Sequence, residues 1–179
     1  MAARQALQVR YGTLHNVGMA AVSLLMIGSA VAHFTSGNSP NAPTLSLKDP
    51  RFVMFSLLAL IMVYYIYLGL SRALDRTPQV VIDHEGIALG FGRNARIAWS
   101  DIEWVRIRRL AMRAQLQIGV EPHAFLAADL RLSQFNVDDS LRPIRGVPAA
   151  VVVRDNGLET TAMTMLDAIK AFRPNLVRS

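Results

Sequence analysis

Among the side chains able to take part in chemistry, a group of arginines around a tryptophan stands out. From position 96 the chain reads RIAWSDIEWVRIRRLAMR, which gathers Arg96, Trp104, Arg106, Arg108, Arg109 and Arg113 into one short stretch. Guanidinium groups pair with anionic oxygens, and an indole face attracts a cation. The chemistry on offer is therefore the binding of negatively charged groups. Asp101 and Glu103 lie among these residues, and a charged outward strand face is also what solvation alone produces.

The other candidates are weaker. The four histidines are His15, His33, His84 and His123. His15 and His33 fall at opposite ends of one apolar segment, too far apart to share a metal, and no neighbouring ligands converge on any of the four. The glycines of GFG, Gly90 and Gly92, follow one strand-like run and precede another. They have no helix N-terminus to hold a phosphate, so a hairpin turn is expected. Asp138 and Asp139 are adjacent in a polar stretch, where carboxylates are ordinarily solvated. No Ser-His-Asp arrangement can be assembled, and no catalytic, cofactor or metal residue is assigned.

Composition sets the surroundings of the arginine group. The chain has 179 residues, 52% of them hydrophobic, no cysteine and a formal charge of +6. Its mean hydropathy is +0.28 and its sequence pI about 10.5. A positive mean is unusual for a soluble domain, so part of the apolar content is expected to face lipid. The absence of cysteine excludes disulfides, thiolate zinc sites and iron–sulfur ligation. Arginine is dispersed among acidic residues, unlike the basic block of a disordered nucleic-acid arm, and no aromatic platform for bases is evident. Nucleic acid is not expected as a partner.

Two segments carry the apolar content. Residues 14–34 and 52–70 hold no Asp, Glu, Lys or Arg apart from their flanks, and each has the roughly 20 residues needed to cross a bilayer. Tyr64, Tyr65 and Tyr67 close the second at the depth that aromatic rings favour. The small residues before His33 resemble a signal-peptide cleavage site after Ala32, but the long stretch ahead of the apolar run predicts a retained helix. Gly18, Ala21, Gly28, Ser29 and Ala32 would let this helix approach another closely, most simply the second helix of the same chain. Arg4 and Arg10 precede the pair, Arg72 and Arg76 follow it, and the connection 35–51 carries Lys48 and Arg51. That bias places both termini in the cytoplasm and the connection outside. The expected division is a membrane region over 1–77 and a cytoplasmic domain over 78–179, tethered by residues that span at most about 25 Å.

From Gln79 the pattern alternates with period two. Strands are predicted around 79–83, 87–91, 96–99, 103–109, 114–120 and 149–154, with a turn at Ser100 and Asp101. Trp104, Arg106 and Arg108 fall on the outer face of the fourth run. In the fifth, Leu116, Ile118 and Val120 point inward and Gln115, Gln117 and Gly119 outward. Pro122 opens a short helix, and residues 133–146 have no period and are predicted as loop. A last helix, capped by Thr160 or Thr161 and stopped by Pro174, aligns Ala162, Met165, Leu166, Ile169 and Phe172 in one stripe.

Two apolar helices, the acidic-glycine hairpin of Asp83, Glu85, Gly86 and Ile87, and then the turn of Trp99, Ser100, Asp101 and Ile102 form an order that resembles the bacterial two-helix membrane-anchored proteins with a pleckstrin-homology-like (PH-like) domain, a family of uncharacterised function. The resemblance covers nearly the whole chain in architecture, and its motif is structural. The long stretch over 121–148 departs from it. It implies an α+β membrane protein in which an antiparallel barrel or sandwich, capped by a C-terminal amphipathic helix, follows two transmembrane helices. A multi-pass location in the bacterial inner membrane follows. The expected role is a non-enzymatic interaction or adaptor module, contacting membrane lipids through anionic headgroups or a membrane-protein partner. The alternative is an accessory subunit of a larger integral complex.

Overall fold

The computed structural model describes residues 6–35, 44, 46–90, 94–110, 113–129, 137–141 and 149–178. It divides into two compact units, Gly12–Asp75 and the combination of Met1–Tyr11 with Arg76–Ser179. The second unit therefore includes an N-terminal segment that the expected division at 77/78 assigns to the membrane region.

The first unit is a pair of helices, α1 (Thr13–Thr35) and α2 (Pro50–Leu74). Asp49 caps α2: its carboxylate accepts the Arg51 N–H at 2.9 Å and the Thr44 N–H at 2.8 Å, and Pro50 takes the first position, where no N–H is required. The bonds from the Thr44 and Arg51 backbone hold this carboxyl below its ordinary value. Both helices are long and apolar enough to cross a membrane, and only 11% and 6% of their most apolar windows are buried. A core helix of a soluble protein would be mostly buried; these two are mostly exposed, which is compatible with membrane-spanning helices.

The helices pack on one another, but through residues other than those expected. Asn16, Ala20 and Ser23, spaced at four and three, are the buried positions of α1. Asn16 and Ala20 meet α2 at Gly69, where a Cβ would stand 2.6 Å from the Asn16 carbonyl oxygen and 3.1 Å from the Ala20 Cβ. Glycine is what lets the backbones come this close. Gly18 and Gly28 have nothing within 4 Å of a built Cβ, and Ala21, Ser29 and Ala32 are exposed.

The second unit holds two antiparallel four-stranded sheets. The first has the order β1 (Leu7–Val9), β2 (Val80–Ile82), β3 (Gly86–Leu89), β4 (Arg96–Ala98). The second, containing β5 (Ile102–Leu110), β6 (Arg113–Val120), β7 (Val137–Leu141) and β8 (Ala149–Arg154), runs β5-β6-β8-β7. No closed barrel forms among the described residues, which corrects that half of the barrel-or-sandwich expectation. β7 lies in the stretch predicted as loop, and β1 was not signalled at all. Between β6 and β7, α3 (Pro122–Ala127) is the expected short helix, and α4 (Ala162–Phe172) the expected closing one.

The period-two pattern places the core. Val80, Ile82, Ile87 and Leu89 of the first sheet, Val105, Leu116, Ile118, Val151 and Val153 of the second, and Met165 and Ile169 of α4 are all fully buried in one cluster. Burying each such side chain stabilises the fold by about 1.5–3 kcal/mol. Thr161 caps α4 by accepting the Thr164 N–H at 3.2 Å, and Asp155 accepts the Ala162 N–H at 3.1 Å. Trp99 sits in a 3-10 turn, Trp99–Asp101, that carries the chain from one sheet to the other. Its indole N–H donates to the Asp83 carbonyl at 3.0 Å, and its ring stacks on Phe172 of α4 at 6.3 Å.

β1 and the two residues after it are held at two places. Val9 pairs with Val80, and Tyr11 bridges Leu158. Beside them the Arg10 N–H donates to the Glu159 carboxylate, and the Glu159 N–H returns to the Arg10 carbonyl, both at 2.9 Å. The whole helix pair is thus an insertion between two hydrogen-bonded neighbouring strands.

Candidate interaction face

The arginine group divides when the strands are paired. β5 and β6 align Trp104 with Gly119, Arg106 with Gln117 and Arg108 with Gln115, and β8 continues these rows with Ala150, Val152 and Arg154. Alternation puts all of these on the face of the second sheet opposite the core. Arg109 has the parity of Val105 and Ile107, so it belongs to the other face, near the strand end. Backbone register places Arg113 opposite Leu110, while its side chain lies outside the described residues. Arg96 is in the first sheet altogether.

Arg96 is also committed elsewhere. Its guanidinium bonds the Asp83 carboxylate at 2.5 Å and approaches Glu85 at 3.4 Å. The same Asp83 oxygen accepts the Glu85 N–H at 2.9 Å and the Gly86 N–H at 3.3 Å, closing the hairpin as an Asx turn. Partial burial raises the Asp83 pKa, but the Arg96 hydrogen bond and the two backbone donors outweigh it and the carboxyl titrates below its ordinary value. The hydrogen bond that Arg96 donates to Asp83 in turn raises the Arg96 pKa. A glycine follows because a Cβ on Gly86 would stand 2.1 Å from the Ile97 carbonyl oxygen. The acidic-glycine hairpin and Arg96 therefore form a structural knot, and Arg96 is not part of the arginine face.

The remaining group is built around Trp104. Its indole lies across Gly119, where any Cβ would come within 2.3–2.6 Å of ring atoms, so the strand glycine is the seat of the tryptophan. The Arg106 guanidinium sits 4.8 Å from the ring centroid and donates from Nε to the Gln117 carbonyl oxygen at 2.8 Å. Gln117 is on the outward face as expected, yet it is only 1% exposed. Stacking and hydrogen bond together hold the exposed Arg106 in one orientation, and a preorganised guanidinium loses less freedom on meeting an anion. Arg108 is exposed beside it and has no acidic partner among the described residues.

The sequence does not show Arg154 as a member of this face, nor Gln117, expected only as an outward residue, as the partner of Arg106. The signal that finds them is register: Arg154 shares a row with Arg108 once β6 and β8 are aligned through Gln115. Asp138 was read as loop, yet its backbone pairs with Val152 on the same face.

What this face can do is hold negative charge. Among the described residues no three His, Cys, Asp or Glu side chains gather to bind a metal. A cleft of about 690 Å³ between α1 and α2, lined by residues such as Leu25, Met26, Phe34, Phe55 and Met62, is almost wholly apolar. Phe34 and Phe55 meet edge to face across it at 4.7 Å. No protein-family model, no curated protein and no solved structure matches the chain.

Proposed function

We propose that the chain is a non-enzymatic integral membrane protein whose strand-built unit is a PH-like interaction module held at the cytoplasmic leaflet of the bacterial inner membrane. Two antiparallel sheets closed by α4 on a common core support the PH-like reading, with an aromatic turn joining the sheets. The length, apolarity and low burial of α1 and α2 support the membrane placement. β1 argues against cleavage after Ala32, because Val9 is fully buried against β2 and cleavage would remove it from the sheet.

The observation that carries the reading is the Trp104–Arg106–Gln117 arrangement, which orients the exposed Arg106 guanidinium beside the exposed Arg108. Basic side chains near an anionic leaflet contribute about 1 kcal/mol each, decaying within a Debye length. A membrane-protein partner with an acidic surface would use the same groups. The chain has two tryptophans, and Trp99 is buried whereas Trp104 is half-buried, so a Trp99→Phe variant makes Trp104 the sole reporter. In full-length protein, Trp104 emission is expected to shift when neutral phosphatidylcholine nanodiscs are replaced by phosphatidylglycerol ones, or when a stoichiometric partner co-purifies from native membranes. Arg106→Glu with Arg108→Glu is expected to abolish whichever response occurs. Unchanged emission in both lipids and no partner sensitive to those substitutions would refute the module.

A second reading, an accessory subunit of a larger integral complex, is favoured by the exposed side of α1. Gly18, Ala21, Gly28 and Ala32 remain uncovered by α2, and small residues suit close contact with a further helix. A complex that survives the Arg106 and Arg108 substitutions but is lost with Gly28→Leu would support it.

A further inference from the structure

β5 is the outermost strand of the second sheet, and its outward side is covered along part of its length only. There Val105 makes a parallel bridge with Val177, and the Val105 carbonyl accepts the Arg178 N–H at 2.8 Å. In a strand the N–H and C=O of one residue point to the same side, and successive residues alternate sides. Ile107 and Arg109 therefore share the outward direction of Val105, whereas Trp104, Arg106 and Arg108 turn their backbone groups to β6. Beyond Val105, no strand among the described residues pairs with this side of β5. Among the described residues, the outward donors and acceptors of Ile107 and Arg109 have no strand partner.

The charged side chains over 106–109 have one sign, with the exposed Glu103 further back on the strand. Arg106 and Arg108 are exposed on one face of β5, Arg109 is exposed on the other, and Ile107 between them is half-buried against the core. Resting on the adaptor reading above, we infer that this edge accepts an extended acidic segment of a protein partner as an added strand. The partner's backbone pairs with Ile107 and Arg109, and its carboxylates meet Arg106, Arg108 and Arg109. Main-chain hydrogen bonds supply the pairing in this mode of recognition, and side chains supply the choice of partner. Arginines on an edge also deter self-association. A second copy would oppose arginine with arginine across the new pair, which selects against a homodimer and leaves an acidic strand acceptable.

The test uses full-length protein in phosphatidylcholine nanodiscs and, as probe, a synthetic peptide alternating Glu and Val, compared with the same peptide N-methylated throughout. Methylation keeps the charge and removes every backbone donor. The unmodified peptide is expected to bind at least about tenfold more tightly and to slow hydrogen exchange at the Ile107 and Arg109 amides. Ile107→Pro, which removes an outward donor without touching the bonds to β6, is expected to lower its affinity. Equal binding of the two peptides, or unchanged exchange at both amides, overturns the added strand while leaving the charged face intact. Failure of both peptides to bind, with Trp104 still responding to phosphatidylglycerol, overturns it in favour of headgroups. Failure of the peptides together with a silent Trp104 removes the adaptor reading itself.

Discussion

Two single residues decide how firmly the proposed face and its neighbouring hairpin are held. Gly119 seats Trp104, and an added methyl would overlap the indole at 2.3 Å. Gly119→Ala should cost about 1–3 kcal/mol, the usual range for overpacking, and should free Arg106 from its stack. Denaturant unfolding in detergent, followed by Trp104 emission in the Trp99→Phe background, measures both. A variant of unchanged stability and emission would show that the ring does not rest there. Asp83 gives a pH prediction. Its folded-state pKa is lowered, so its contribution to stability is complete above the unfolded value, 3.8, and is lost as pH falls through the lower folded value. Thermal unfolding between pH 7 and pH 2 should therefore show an acid limb that Asp83→Asn flattens. Arg96→Ala should flatten it too, by removing the hydrogen bond that opposes burial. Superimposable acid limbs would discount the knot. Nothing in the sequence distinguished Arg96 from the other arginines, because a charge partner thirteen residues away becomes a neighbour only when β3 pairs with β4.

At the level of elements, what could be read depended on length and contrast. The α4 stripe and the inward Leu116, Ile118 and Val120 repeat strongly enough to be seen in isolation, and all but the flanking Leu166 and Phe172 are fully buried. β1 could not be read that way. Three residues, Leu7, Gln8 and Val9, supply barely one period, and the partner strand is seventy residues further along the chain. β7 was hidden for a different reason: Val137, Asp138, Asp139, Ser140 and Leu141 include three polar residues, which local propensity assigns to a loop. The candidate face was half legible, since alternation gave Trp104, Arg106, Arg108 and an outward Gln117, while the Arg106–Gln117 pairing and Arg154 needed cross-strand register. The consequence of β1 can be measured. A fragment starting at Pro78 lacks it and leaves the β2 edge unpaired. The fragment should unfold at lower denaturant than one in which residues 6–11 are joined by a flexible linker to residues 76–179. The Val9→Asp change in the joined version should reverse the gain, because it buries a charge at a fully buried position. Equal stability of both fragments would mean that β1 adds nothing to the sheet.

For the whole molecule, the β1–β2 pair constrains how a membrane can be crossed. Val9 and Val80 are hydrogen-bonded neighbours in one sheet, so the chain between them must return to the side from which it left. The number of crossings is even, whatever the charge bias of the flanks. Two helices of sufficient length and apolarity satisfy this with one crossing each. Parity does not choose the side, and the choice of the cytoplasm rests on the arginines flanking the helices. The absence of cysteine makes that choice measurable with single introduced thiols. Leu47, in the connection between the helices, and Leu126, on α3, are each 83% exposed and accept a thiol without disturbing the core. A membrane-impermeant maleimide added to intact bacterial spheroplasts should label Leu47→Cys at once and Leu126→Cys only after lysis. The reverse pattern would move the arginine face to the outer side, away from cytoplasmic partners. Labelling of both before lysis would place the two positions on one side, which two full crossings forbid.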